Sequence, residues 1–350
     1  MFLSLPLYFT SMSLSSSFSK YQKELIHLLQ EEKVSGIDEQ IIQEMLVTIA
    51  RLRDNQVELI DLKIIGTALK ELRYAFSVFQ KYRGIPKVAV FGSARVPRTD
   101  PNYQLAEDFG RQIVQKGWMV ITGGANGIME AAIHGAGTDK SFGLNILLPF
   151  EQSANPFIRG NKKLINFKYF FTRKLMFLKE SEATVLFPGG FGTLDEGLES
   201  LTLVQTGKAK PRPILLIDHP QSTYWNSLLQ FFKTHLAESG MIGDGDMHLI
   251  THFHESDRAA DYLAQFYSNY HSSRFLGTQY LIRLRHPISD DQLEHLTHNF
   301  KDILEEGRFE RFTEIEKDDE PNPKLIRIIF SFDKLHYDRL HQLMDALNHL

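Results

Sequence analysis

Three patterns of apolar and polar positions follow one another along the chain. From residue 20 to 83, apolar positions such as Leu25, Leu28, Leu29, Ile41, Ile42, Met45, Leu46 and Ile49 recur three and four apart, with almost no glycine or proline. That period predicts amphipathic helices, with packing or oligomerisation as their role. From 84 to 267, short apolar runs alternate with amphipathic stretches. Strands are predicted over 87–92, 118–121, 143–148, 183–187, 213–217 and 249–253. Helices are predicted over 103–115, 128–135, 172–180, 193–206, 223–237 and 257–266. Alternation at this spacing predicts an α/β domain: a doubly wound, Rossmann-like, mainly parallel sheet with helices on both faces. From 268 to 350, strands over 280–285, 309–315 and 325–332 with helices over 290–304 and 334–347 suit a small C-terminal α+β unit. The expected organisation is therefore an N-terminal helical region, 1–83, then the α/β domain, 84–267, then the α+β unit, 268–350, with 268–274 as the last boundary.

Charge and composition narrow the function. The 39 Lys and Arg residues against 43 Asp and Glu leave a net charge of −4, without the basic surplus of a nucleic-acid-coating domain. The chain has no cysteine, which excludes a disulfide framework, a thiolate nucleophile and a cysteine-ligated zinc. No apolar run reaches the roughly 18 residues of a membrane span. The apolar start, residues 1–9, lacks a basic n-region and is interrupted by Pro6. It reads as a frayed terminus, with Met12 as an alternative start, rather than a signal peptide. A soluble, cytoplasmic protein is expected.

The glycines of the middle region converge. Strand 87–92 runs into Gly92-Ser93-Ala94-Arg95, strand 118–121 into Thr122-Gly123-Gly124-Ala125-Asn126-Gly127, and strand 183–187 into Pro188-Gly189-Gly190-Phe191-Gly192-Thr193. In a parallel sheet these strand-to-helix loops share the carboxyl edge, where open α/β sheets bind ligands. Glycine permits close backbone approach, and helix N-termini favour anions. A phosphate site on that edge follows. The first loop, GSARVP, is not a G-x-G-x-x-G fingerprint, and no Walker motif is present, which weakens dinucleotide and P-loop readings.

Two side chains stand out near that edge. Thr193-Leu-Asp-Glu196 fits a capping box, which alone would explain Glu196. Arg173 can be read as a solvated surface cation. Yet Arg173 and Lys174 lie in the first turn of their helix, where the dipole disfavours positive charge, so an anionic partner is expected. The path from 173 to 196 returns to the glycine edge, where Arg173 and Glu196 can meet.

The run Pro188-Gly-Gly-Phe-Gly-Thr-Leu-Asp-Glu196 resembles the PGGxGTxxE signature of the LOG (LONELY GUY) family, long labelled "lysine decarboxylase-like", with Arg173-Lys174 in the register of its Arg-Lys pair. The resemblance covers roughly 84–267, and TGGANGIMEAA and GLNILLPFEQSANPF look like its larger bacterial branch. It implies cleavage of the N-glycosidic bond of a nucleoside 5′-monophosphate, such as AMP or a cytokinin riboside monophosphate, to free base and ribose 5-phosphate. Carried over, Arg173 and Glu196 would be the catalytic pair. Gly123, Gly124, Gly127, Gly189, Gly190, Gly192 and Thr193 would hold phosphate and ribose, with Ser93, Met129, Glu130 and Lys174 near the nucleotide. The resemblance implies no cofactor, no nucleic-acid or membrane partner, and a homodimer or higher homo-oligomer. Ala125, Asn126 and Ile133 depart from the branch's usual Gly, Pro and Asn, which bears on the choice of base.

Other readings stay open at this stage. A non-catalytic nucleotide sensor or carrier could use the same fold. A pyridoxal-phosphate decarboxylase would need a Schiff-base lysine, for which Lys174 is the nearest candidate. His248, His252 and His254 would share one face of a predicted strand but lack a carboxylate beyond Glu255, so no metal site is expected. Phe170, Phe171 and Phe191 are candidate nucleobase contacts.

Overall fold

The computed structural model describes residues 36–148, 154–320 and 322–350; the expectations for the apolar start and for the helical positions Leu25, Leu28 and Leu29 lie outside them. The described residues pack as two units, 36–69 and 70–350. In the first, Gly36 precedes helix α1, Ile37–Asp54, which buries none of its side chains. Helix α2, Leu59–Phe79, begins in the first unit and ends in the second, where Ala75 and Phe79 are buried. No described helix is long and apolar enough to cross a membrane.

Among the described residues, the second unit holds two sheets. Seven parallel strands form the larger: β1 Lys87–Phe91, β2 Met119–Thr122, β3 Ser141–Ile146, β4 Leu164–Phe167, β5 Ala183–Leu186, β6 Ile214–Ile217 and β7 Ile250–Phe253. Their spatial order is β4-β3-β2-β1-β5-β6-β7. Alternate residues feed opposite cores. Val88, Val90, Val120, Val185 and Leu215 pack under helices α3 (Pro101–Gln115), α4 (Ile128–Ala136) and α8 (Ser256–Phe266). Ala89, Phe91, Ile121, Leu186 and Leu216 pack with α2 and with α5 (Phe170–Glu180), α6 (Phe191–Gln205) and α7 (Tyr224–Phe231). Both faces are covered, so the strands read as continuous apolar runs. The order reverses between β1 and β5, and the crevice outside their carboxyl ends is where such a sheet receives ligands.

Strand β4 has no counterpart in the sequence reading. It is a four-residue edge strand pairing with β3 alone, and its half-exposed pattern carries no strong apolar signal.

The smaller sheet is antiparallel, ordered β10-β11-β9-β8: β8 Tyr270–Leu276, β9 Gln279–Leu284, β10 Leu304–Arg311 and β11 Ile326–Phe332. Helices α9 (Asp290–Asn299) and α10 (Tyr337–Leu347) share its core. The segment expected as a boundary, 268–274, is largely strand β8, and β10 starts and ends earlier than the predicted 309–315. The polar run His271-Ser272-Ser273-Arg274 hid β8; pairing with β9 and a Tyr270–Ser273–Tyr280 hydroxyl chain satisfy it.

His341 of α10 is buried against Phe266, its ring Nε2 without a hydrogen-bond partner among the described residues. Burial pushes its pKa down to about 4. The unfolded chain, with an ordinary imidazole, binds a proton near pH 6.5 that the fold rejects. Stability should therefore fall as pH drops from about 6.5 towards 4, by about 2 kcal/mol between pH 7 and 5. Urea unfolding at the two pH values checks this, and His341→Phe should remove that share of the loss.

Candidate active site

The carboxyl ends of β1 and β5 are tied together. Ser93 N–H donates to the Pro188 carbonyl at 3.1 Å, and the Ser93 carbonyl accepts from Ile128 N–H at 3.0 Å. Three glycine loops thus meet at one point. Gly127 is fixed there by sterics: its φ is +65°, and a Cβ would stand 2.3 Å from the Ser93 carbonyl oxygen. Gly189 is equally confined, since a Cβ would meet Thr193 Oγ1 at 2.1 Å. Gly190 and Gly192 differ, because a Cβ on either would meet nothing within 4 Å. Protein packing does not demand glycine at those two positions.

Above the loops lies a cavity of about 740 Å³ lined by Phe91, Gly92, Ser93, Ala94, Arg95, Gly123, Met129, Arg173, Phe177, Gly189, Gly190, Phe191, Gly192, Thr193, Leu194 and Glu196. Of the residues singled out in sequence, Gly124, Gly127, Glu130 and Lys174 do not line it. Gly124 and Gly127 shape the turn from behind. Gly124 has φ +72° and donates its N–H to Thr122 Oγ1 at 3.0 Å. Glu130 is buried and engaged elsewhere, accepting from Arg98 Nε at 2.9 Å and from the Tyr103 hydroxyl at 3.3 Å.

Helix α6 begins at Phe191, with Gly190 as its N-cap. The Gly190 carbonyl accepts from both Thr193 and Leu194 N–H, at 3.0 and 3.2 Å. The capping box expected at Thr193 is therefore absent, and Glu196 lies within the helix rather than at its third position. Its carboxylate is free to face the cavity. Helix α5 begins at Phe170, two residues before its predicted start, and still carries Arg173 in its first turn.

These two helix starts bring Arg173 Nη2 to 3.4 Å from Glu196 Oε1. Both side chains are largely buried, 13% and 6% exposed. Burial pushes the Glu196 carboxyl above the ordinary carboxylate range, with the Lys174 and Arg173 charges pulling it back. Burial likewise lowers the pKa of Arg173, against the opposing pull of Glu196 and Asp195. The guanidinium sits over the Phe170 and Phe177 rings at 5.0 and 5.7 Å, and its buried Nε has no partner among the described residues. Lys174 turns instead towards acids, with Nζ 2.8 Å from Glu199, 2.9 Å from Asp195 and 3.7 Å from Glu196. Burial disfavours its ammonium, yet the bonds to Glu199 and Asp195 hold its pKa above the ordinary lysine value.

Of the candidate base contacts, Phe191 lines the cavity and is 92% exposed. Phe170 and Phe171 are half-exposed and do not line it; Phe171 stacks on Tyr169. Sequence reasoning assigned no role to two residues that hold the loops. Buried Asn155 donates through its amide to the carbonyls of Gly124 and Ala125, at 3.1 and 3.0 Å. The Tyr224 hydroxyl donates to the Gly189 carbonyl at 2.6 Å. Both act across long sequence separations, and neither carries a local signal.

Residues 126–263 match the family model described as "Possible lysine decarboxylase". The chain is 33% identical over 161 residues to the probable cytokinin riboside 5′-monophosphate phosphoribohydrolase LOGL5 of Oryza sativa subsp. japonica, across 43% of this chain and 61% of the rice protein. It is 28% identical over 159 residues to cytokinin riboside 5′-monophosphate phosphoribohydrolase LOG3 of Arabidopsis thaliana, across 43% of this chain and 70% of that one. The chain thus spans under two thirds of the rice relative. Among solved structures, the molybdenum cofactor binding protein of Rippkaea orientalis is similar at 18% identity and a TM-score of 0.38, over 51% of this chain and 96% of that one. The molybdenum cofactor carrier protein of Chlamydomonas reinhardtii is similar at 20% identity and a TM-score of 0.36, over 52% and 97%.

Proposed function

We propose that the α/β domain, residues 84–267, is of the LOG family and hydrolyses the N-glycosidic bond of a nucleoside 5′-monophosphate, releasing free base and ribose 5-phosphate. The observation that carries this reading is the Arg173–Glu196 pair at 3.4 Å beside Gly190 and Gly192, on the wall of one cavity. Cleavage of a ribosyl C–N bond passes through an oxocarbenium-like state, as glycoside hydrolysis does. A carboxylate beside C1′ stabilises that cation and orients or deprotonates the attacking water, and Glu196 takes this role. Arg173 positions Glu196 or the substrate, since a guanidinium binds carboxylate or phosphate in a fork. The α6 N-terminus, capped by Gly190, receives the 5′-phosphate through its free N–H groups. Anchoring the phosphate there fixes C1′ against the carboxylate.

The decarboxylase label finds no support in the lysine it would need. A Schiff-base lysine is activated by a depressed pKa, whereas Lys174 is held protonated among Asp195, Glu196 and Glu199. The flanking regions, 1–83 and 268–350, and a homodimer or larger homo-oligomer, belong to the same proposal.

Incubation with a panel of purine, cytokinin-type and pyrimidine nucleoside 5′-monophosphates, followed by chromatography, tests it. At least one should yield free base and ribose 5-phosphate in equal amounts. Tight binding with every nucleotide recovered intact would make the protein a nucleotide sensor or carrier instead.

A further inference from the structure

The histidines read from sequence as lacking a carboxylate acquire one in the fold. Strand β6 ends at Ile217 and runs parallel to β7, with Leu216 opposite His252 and Ile217 opposite Phe253. Asp218 follows β6 and donates its N–H to the Phe253 carbonyl. This pairing sets Asp218 beside His252 and His254, residues 34 and 36 positions away. Asp218 Oδ1 is 2.7 Å from His252 Nε2 and 3.2 Å from His254 Nδ1. One ligand-capable atom from each residue lies within 4.8 Å of the others. His248 takes no part: it lies on a 3-10 turn before β7, bonded to the Gly245 carbonyl.

A second observation concerns the carboxylate alone. Asp218 is completely buried, and its Oδ2 has no hydrogen-bond partner among the described residues. His252 Nε2 meets Oδ1, and His254 Nδ1 lies between Oδ1 and the Asp218 main-chain carbonyl, 3.1 Å away, so Oδ2 stays unsatisfied, at a cost of about 1–3 kcal/mol or more for a charged group. A cation engaging both carboxylate oxygens would remove that cost. Tetrahedral ligands at about 2.0–2.1 Å from zinc stand about 3.3 Å apart; the Asp218–His254 spacing of 3.2 Å matches this, and the 2.7 Å Asp218–His252 contact opens slightly to admit an ion. The donor set, two imidazoles and one carboxylate, suits a borderline first-row cation rather than calcium or magnesium. His254, 39% exposed, provides the way in.

We propose that Asp218, His252 and His254 bind one divalent transition-metal ion of the Zn²⁺ class at the carboxyl ends of β6 and β7. None of the three lines the Arg173–Glu196 cavity, so the site is distinct from the proposed catalytic one and does not depend on it. The ion displaces the protons shared between carboxylate and imidazoles and cross-links the two strand ends, with a remaining coordination position open to water.

The test uses untagged, full-length protein stripped with a chelator and titrated with Co²⁺, read by visible ligand-field absorption, and with Zn²⁺ against a chromogenic chelator. The wild type should take up one equivalent, and Zn²⁺ should raise its melting temperature. His254→Gln, a partly exposed position that folding tolerates, should weaken binding at least about tenfold, and His252→Gln/His254→Gln about a hundredfold or more. Wild-type uptake no tighter than that of the double variant would overturn the site, as would unchanged affinity in both variants.

Discussion

Glu196→Gln should lower kcat by about a thousandfold or more while leaving nucleotide affinity within a few-fold of wild type. The substitution keeps the shape of the side chain and a polar atom for Arg173, which stands at 3.4 Å. It removes the charge proposed to stabilise a cationic ribosyl centre, and preorganised charge of this kind is worth about a hundredfold to a thousandfold in a water-poor site, with the proton-transfer role adding about a hundredfold more. In the proposed mechanism phosphate binding rests on main-chain amides at the start of α6 and does not use the carboxylate. Single-turnover kinetics and calorimetric titration separate the two quantities. A variant with wild-type turnover would remove Glu196 from the mechanism, whereas a variant that no longer binds would assign it to substrate affinity.

The second large effect lies in the glycine loop. Gly190→Asp should preserve or slightly raise folding stability and yet raise KM for a nucleoside 5′-monophosphate at least about tenfold. Aspartate is a favoured N-cap residue and complements the helix dipole. The Gly190 backbone, at φ −87°, accepts any side chain, and a Cβ there meets nothing within 4 Å. The new carboxylate would occupy the helix N-terminus that the phosphate needs and repel it. Thermal unfolding and steady-state kinetics on one preparation check both halves. Unchanged KM with unchanged stability would place the phosphate elsewhere.

How much was legible in sequence depends on how local the physics was. The parallel sheet and its glycine edge were readable because each loop follows a short apolar strand, and glycine marks the turn directly. The meeting of Arg173 with Glu196 was readable because both lie in the first two turns of helices flanking a single strand, β5. The helix start at 191 was not. Thr193-Leu-Asp-Glu196 matches a capping signature, but the Gly190 carbonyl bonds to Thr193 and Leu194 and the helix begins two residues earlier. Strand β4 and strand β8 escaped because pairing with a neighbour, rather than their own apolar pattern, makes them strands. Asn155, Tyr224 and the Asp218 cluster were invisible for a related reason: contacts across tens of residues exist only once the sheet has assembled.

The proposal that the glycine nest grips a terminal phosphate, and through it the scissile bond, is tested most directly by comparing one base as its 5′-monophosphate and as the unphosphorylated nucleoside. The account predicts base release from the monophosphate with kcat/KM at least about a hundredfold higher, since anchoring at the helix start supplies the positioning. Equal rates from the two substrates would contradict it.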